Sequence, residues 1–137
     1  MKQPDNMTFT QLAQAIRQHV ADVQAIYAFG SYANGMQRPD SDIDLAVLAS
    51  TPLDAERVFM LSDTLADIAK RNVDVVDLHI ASTVMRSQVI ANGRRIYCGD
   101  QTACESFEDL AYSSYARLNE ERRDILADIQ ARGRIHG

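Results

Sequence analysis

Cysteine is scarce in this chain. Cys98 and Cys104 are too few for a disulfide framework, so reduced thiols in a cytoplasmic protein are expected. A surplus of positive charge is also missing: 14 Lys and Arg stand against 19 Asp and Glu, a net charge of -5. A broad surface for nucleic acid needs the opposite balance, and direct nucleic-acid binding is not expected. No apolar run approaches the roughly 20 residues of a membrane-spanning helix. The opening MKQPDNMTF lacks the apolar stretch of a secretory leader, so neither membrane nor export is expected. Repeats and low-complexity tracts are absent as well. The 137 residues, 46% hydrophobic and 24% charged, have the composition of a globular domain able to bury a core.

Helix and strand patterns alternate along the chain. Phe9, Leu12, Ala13, Ile16 and Val20 recur at spacings of three and four, predicting an amphipathic helix over 8–21 with Thr8 or Thr10 as its cap. Val23 to Phe29 is rich in β-branched and aromatic residues and stops at Gly30, the pattern of a short buried strand. The segment 30–41 is dense in turn formers. Ser31 is placed to cap a short helical turn, Gly35 to end it, and Pro39 to prevent its continuation. Asp42 to Leu48 predicts a second strand. Pro52-Leu53-Asp54 opens a helix over 54–70 with Val58, Leu61, Leu65 and Ile68 on its apolar face, and Val73 to Leu78 predicts a third strand. A further helix over 82–92 starts at Ser82 or Thr83 and closes at Asn92-Gly93. Arg94 to Tyr97 reads as a short fourth strand. From Thr102 to Arg132 the stripe of Phe107, Leu110, Ala111, Leu118, Ile125 and Ile129 is helical, as one long element or two.

The chemistry concentrates between Gly30 and Asp44: Gly30-Ser31, ten residues, then Asp42-Ile43-Asp44. Side chains at i and i+2 of a strand share a face, so Asp42 and Asp44 project together while Ile43, Leu45 and Val47 point into the core. Two carboxylates about 7 Å apart along a strand repel each other, and partial burial raises their pKa values further. A divalent cation removes the conflict, and hard oxygen donors select Mg²⁺ or Mn²⁺. In Val73-Asp74-Val75-Val76-Asp77-Leu78, Asp74 sits between valines and joins the pair if its strand lies beside the second one. Asp77, at an odd offset, faces the other way or marks the strand end. Gly30 permits a phosphate to approach the backbone without a Cβ, and the free N–H groups of the next turn, with the Ser31 hydroxyl, favour an anion. A phosphate site one loop from an acid pair is what handling a nucleoside triphosphate requires.

The string Gly30-Ser31-Tyr32-Ala33-Asn34-Gly35, followed by Arg38-Pro39-Asp40-Ser41-Asp42-Ile43-Asp44, resembles the signature of the polymerase-β-type nucleotidyltransferases. In so short a chain it looks most like their minimal nucleotidyltransferase (MNT) group, over roughly residues 10–99. The resemblance implies an α/β fold of the α+β kind, a small mixed sheet flanked by helices with a C-terminal helical extension. It implies Mg²⁺-dependent (or Mn²⁺-dependent) transfer of AMP from ATP with release of pyrophosphate. By the same resemblance Asp42 and Asp44 would ligand metal, Asp74 would complete the site and help to activate the acceptor hydroxyl, Gly30 and Ser31 would hold the triphosphate, and Arg38 would assist. Many MNT proteins are antitoxins paired with a HEPN-domain ribonuclease toxin. The resemblance therefore implies a hetero-oligomer with such a toxin and its neutralisation by adenylylation of a tyrosine hydroxyl.

Two other readings compete: a non-catalytic antitoxin that covers its partner, and a nucleotidyltransferase for a small hydroxyl compound such as an aminoglycoside. Retention of Asp42, Asp44 and Asp74 together favours the enzyme. The expected division is a nucleotidyltransferase domain over 1–99 and a helical extension over 100–137 packed on it. His19, His79 and His136 have no metal-ligand spacing and read as surface or interface residues. Tyr97, Tyr112 and Tyr115 read as core or half-buried, Cys98 and Cys104 as inert thiols, and Arg117 with Glu121 as part of a solvated helix face.

Overall fold

The computed structural model describes residues 6–30 and 42–136, with side chains described between 8 and 132 in those spans. The order of elements is α1 (Asn6–His19), β1 (Val23–Phe29), β2 (Ile43–Ala49), α2 (Ala55–Ala69), β3 (Val73–Asp77), α3 (Thr83–Asn92), β4 (Arg94–Cys98) and α4 (Gln101–His136). The strands form one mixed sheet in the order β3-β2-β1-β4. β1 runs antiparallel to both β2 and β4, and β2 runs parallel to β3, which is why the long crossover through α2 lies between those two. Ser31, Arg38 and the rest of segment 31–41 lie outside the described residues, as does the helical turn expected there.

Alternation along the strands feeds two apolar layers. Ile43, Leu45 and Val47 of β2 pack with Ile26 and Ala28 of β1 against Leu12 and Ile16 of α1 and Leu61 and Leu65 of α2. On the other face, Ala46, Leu48, Ala25 and Tyr27 pack against Val89 of α3 and Cys104 of α4. Tyr27 Oη donates to Glu108 of α4 at 3.2 Å, and Arg95 of β4 pairs with the same carboxylate at 3.3 Å, so α4 is fastened to the two strands beneath its start.

The helix ends follow local chemistry. The Asp54 side chain accepts from the Arg57 N–H at 2.7 Å, the Ser82 hydroxyl from the Met85 N–H at 3.1 Å, and Asp100 from the Ala103 N–H at 3.1 Å. Ser82 rather than Thr83 is therefore the cap of α3. Three sequence expectations are corrected. Helix α1 is already formed at Asn6, which puts Thr8 and Thr10 inside it rather than at its cap. Ile68 is 38% exposed, because the core-facing stripe of α2 turns onto Ala66 and Ala69 as it passes Leu65. The last helix is one element, and its apolar stripe is a core stripe only at its start. Cys104 and Ala111 are buried and Phe107 packs on the core, whereas Leu110, Ile125 and Ile129 are exposed, and so is every described residue from 120 to 132. Among the described residues no helix is long and apolar enough to cross a membrane.

Candidate active site

The end of the sheet where β1 stops and β2 and β3 begin collects the acids. Phe29 of β1 pairs with Asp44 of β2, and Asp44 pairs in turn with Asp74 of β3, so three adjacent strands present one row at this end. Asp44 is on the same side of its strand as Ala46 and Leu48, and Asp74 on the same side as Val76, all of which pack in the layer under α3 and α4. Asp42 lies just ahead of β2, two residues from Asp44 and exposed; Asp74 is exposed and Asp44 half-buried. The parallel register thus brings Asp74 beside Asp44, which the sequence alone left conditional on strand order.

Gly30 closes the row from the other side. Its φ of +73° lies in the left-handed region, and a Cβ there would collide with Oδ2 of Asp44. The backbone requires the glycine, and a side chain there would push the Asp44 carboxylate out of its place.

At Asp44 the electrostatics are those of an acid without a counter-charge. The Asp44 carboxyl is held above the usual aspartate range, first by burial and then by the negative charges of Asp74 and Asp42. The folded protein therefore binds this proton more tightly than the unfolded chain. Its contribution favours the fold at low pH and is lost as pH rises from the usual aspartate range through the raised value. Asp44→Asn removes the conflict and is expected to raise the melting temperature of the metal-free protein at pH 7. The gain should be at most about 1 kcal/mol, because solvent screens a half-exposed group. Thermal denaturation in a chelator checks this, and an unchanged or lower midpoint would show that the three charges do not strain the fold.

Among the described residues, no set of three His, Cys, Asp or Glu side chains is placed to hold an ion on its own. The donor set is oxygen only and open to solvent at Asp42 and Asp74, which fits Mg²⁺: that ion keeps several waters and takes one or two carboxylates together with the phosphates of a substrate.

Asp77 belongs elsewhere. It is buried, accepts from the backbone N–H of Leu53 at 2.8 Å and of His79 at 2.9 Å, and so ties the segment before α2 to the end of β3. His79 and His19 bond backbone carbonyls, of Ala49 and Ala15. Burial and its neighbour Cys98 push the Cys104 thiol up to about 12, so it is no nucleophile at neutral pH. Sequence reasoning missed two residues of a groove that reaches Asp74, Phe59 and Ile80, both large, apolar and 73% exposed. The available signal was Phe59 itself, one position away from Val58 and outside the stripe through Leu61 and Leu65.

A mixed sheet with helices on both faces and an Asp-x-Asp beside a third strand acid is the framework of a nucleotidyltransferase. Residues 10–102 match the family profile described as Polymerase beta, Nucleotidyltransferase, and the chain belongs to that family. It is 39% identical to protein adenylyltransferase MntA of Shewanella oneidensis, over 88% of this chain and 86% of that protein. It is also similar to a solved toxin–antitoxin structure with AMP-PNP, with TM-score 0.80, 38% identity, and 89% of this chain and 98% of that one covered. It is similar as well to a solved structure of the tri-AMPylated Shewanella oneidensis HEPN toxin in complex with MNT antitoxin, with TM-score 0.75, 35% identity, and 90% and 97% of the two chains covered.

Proposed function

We propose that this chain is an antitoxin that works as a Mg²⁺-dependent protein adenylyltransferase in the cytoplasm. It moves AMP from ATP to a tyrosine hydroxyl of a cognate HEPN-domain toxin, releases pyrophosphate, and so neutralises the toxin, with which it forms a hetero-oligomer. The observation that carries this reading is the row of Asp44 and Asp74 on paired strands, with Asp42 alongside and Gly30 against Asp44. The relatives support the choice of substrates: one solved structure holds AMP-PNP, and another joins an MNT antitoxin to an AMPylated HEPN toxin.

In this proposal residues 1–99 form the transferring domain and 100–137 a helical extension that packs on it through the start of α4. Asp42 and Asp44 are the metal ligands, with Asp74 completing the set. Bound Mg²⁺, or Mn²⁺ in its place, would offset the carboxylate and triphosphate charges and polarise the phosphate under attack. Gly30 and Ser31 hold the triphosphate, and Arg38 assists with its charge. Asp74, the most open of the strand acids, takes the proton as the acceptor oxygen bonds to the α-phosphorus. The bond from that phosphorus to the pyrophosphate oxygen breaks on the opposite side, and both of its electrons leave with pyrophosphate.

The test is the intact mass of the cognate HEPN protein co-expressed with the wild-type chain and with an Asp42→Asn, Asp44→Asn double variant. Mass gains in steps of one adenylyl group, absent with the double variant, are the expected result. No gain in either case, with a stable complex in both, would replace the transferase by a binding module that covers the toxin.

A further inference from the structure

The sheet ends at β3, and an apolar groove of about 570 Å³ runs along this edge between the strand and α2. Leu53, Val58, Phe59, Val76 and Ile80 line it, and Asp74 is part of its wall. Phe59 and Ile80 are each 73% exposed. A single exposed apolar side chain needs no explanation, but two large ones converging on one concave surface mark a binding site. Asp74 also lines the adjoining shallow depression that contains Asp42 and Asp63, so the groove opens directly onto the acidic row.

We propose that this groove receives the acceptor protein: apolar side chains beside the hydroxyl to be modified lie over Phe59 and Ile80, which delivers the hydroxyl to Asp74. The assignment rests on the adenylyl-transfer reading above and adds to it the surface that selects the acceptor. Three features decide the occupant. Among the described lining residues there is no Lys or Arg, so the groove offers nothing to a triphosphate and is not a second nucleotide site. Its continuity with Asp74 means that whatever fills it stands next to the proposed proton acceptor. The exposed carboxylate of Asp63 at its acidic end, which is not among the metal ligands, matches an apolar segment flanked by Lys or Arg. The occupant is therefore a hydroxyl-bearing protein segment with apolar and basic neighbours, not a small polar acceptor.

Phe59→Asp and Ile80→Asp test this in the full chain. Both positions are largely exposed, so the fold should survive, and a thermal midpoint close to the wild type verifies that; Phe59→Ser is the milder variant if either fails. The rate of AMP transfer is measured against the concentration of the purified HEPN partner, and separately against ATP. The expected result is an acceptor KM raised about tenfold or more, the loss typical of a hot-spot anchor, with the KM for ATP unmoved. An acceptor KM unchanged in both variants while the wild type is active overturns this proposal alone. So does the finding that the variants instead break up a dimer of the isolated chain and leave the acceptor KM as it was. A wild type that transfers no AMP overturns the adenylyl reading and this surface with it.

Discussion

Asp44→Asn and Asp42→Asn, each alone, are expected to reduce AMP transfer by about 10³-fold or more while leaving the protein folded. An asparagine keeps the size and one acceptor oxygen but loses the charge that offsets a divalent cation. The stabilisation lost, several kcal/mol, converts at about 1.4 kcal/mol per tenfold to that range. Neither residue supports the core. Asp42 is exposed, and Asp44 is half-buried at the strand end, with the apolar face of β2 carried by Ile43, Leu45 and Val47. Steady-state transfer rates with saturating ATP and Mg²⁺, set beside circular dichroism of each variant, separate lost chemistry from lost structure. Retained activity in both single variants would refute the metal assignment. Opposite effects are therefore expected on the two properties of Asp44→Asn: the metal-free protein melts higher and the transfer rate collapses. Charge repulsion that costs stability is the feature that makes the site attractive to a cation.

Gly30→Ala is expected to lower transfer by about 10²-fold, the scale that follows from displacing a reacting group by about 1 Å. It is also expected to destabilise the protein by about 1 kcal/mol for the left-handed backbone. The two effects have separate causes. The φ of +73° is strained for any residue with a Cβ, while the collision is with Oδ2 of Asp44 and moves that carboxylate out of line with Asp74. Transfer kinetics and thermal denaturation of the same preparation measure both. A variant that lost stability but kept its rate would show that Gly30 serves the turn and not the carboxylate.

The fold was largely legible because most of its elements are locally encoded. β1 occupies the span that its β-branched and aromatic run predicts, and α2 and α3 begin where Asp54 and Ser82 offer side-chain oxygens to the following N–H groups. The pairing of Asp44 with Asp74 was not legible in the same sense. It depends on which strand lies beside β2 and in what register, and both are set by the packing of the crossover helix rather than by any neighbour in sequence. Asp77 shows the limit clearly. As a residue type it was a plausible site acid, and only its two backbone hydrogen bonds reveal that it is a brace. The apolar residues of α4 mislead in the opposite direction. Ile125 and Ile129 continue the helical period begun at Phe107, but periodicity reports a face and not what covers it. Phe59 and Ile80 escaped notice because the groove between them is made by the meeting of α2 with the edge of β3, which a linear pattern does not describe.

The strand order β3-β2-β1-β4 also has a consequence for synthesis. β1, whose end carries Gly30, is an inner strand, and one of its neighbours is the last strand to leave the ribosome. The nascent chain can pair β1 with β2 early, since they follow each other in sequence. The opposite edge of β1 stays bare until residues 94–98 arrive to cover it. Contacts this distant in sequence are slow to form because the intervening loop must close first. The three strands that align the carboxylates are therefore all made before β4, and the last strand covers the bare edge of β1 rather than assembling the acids.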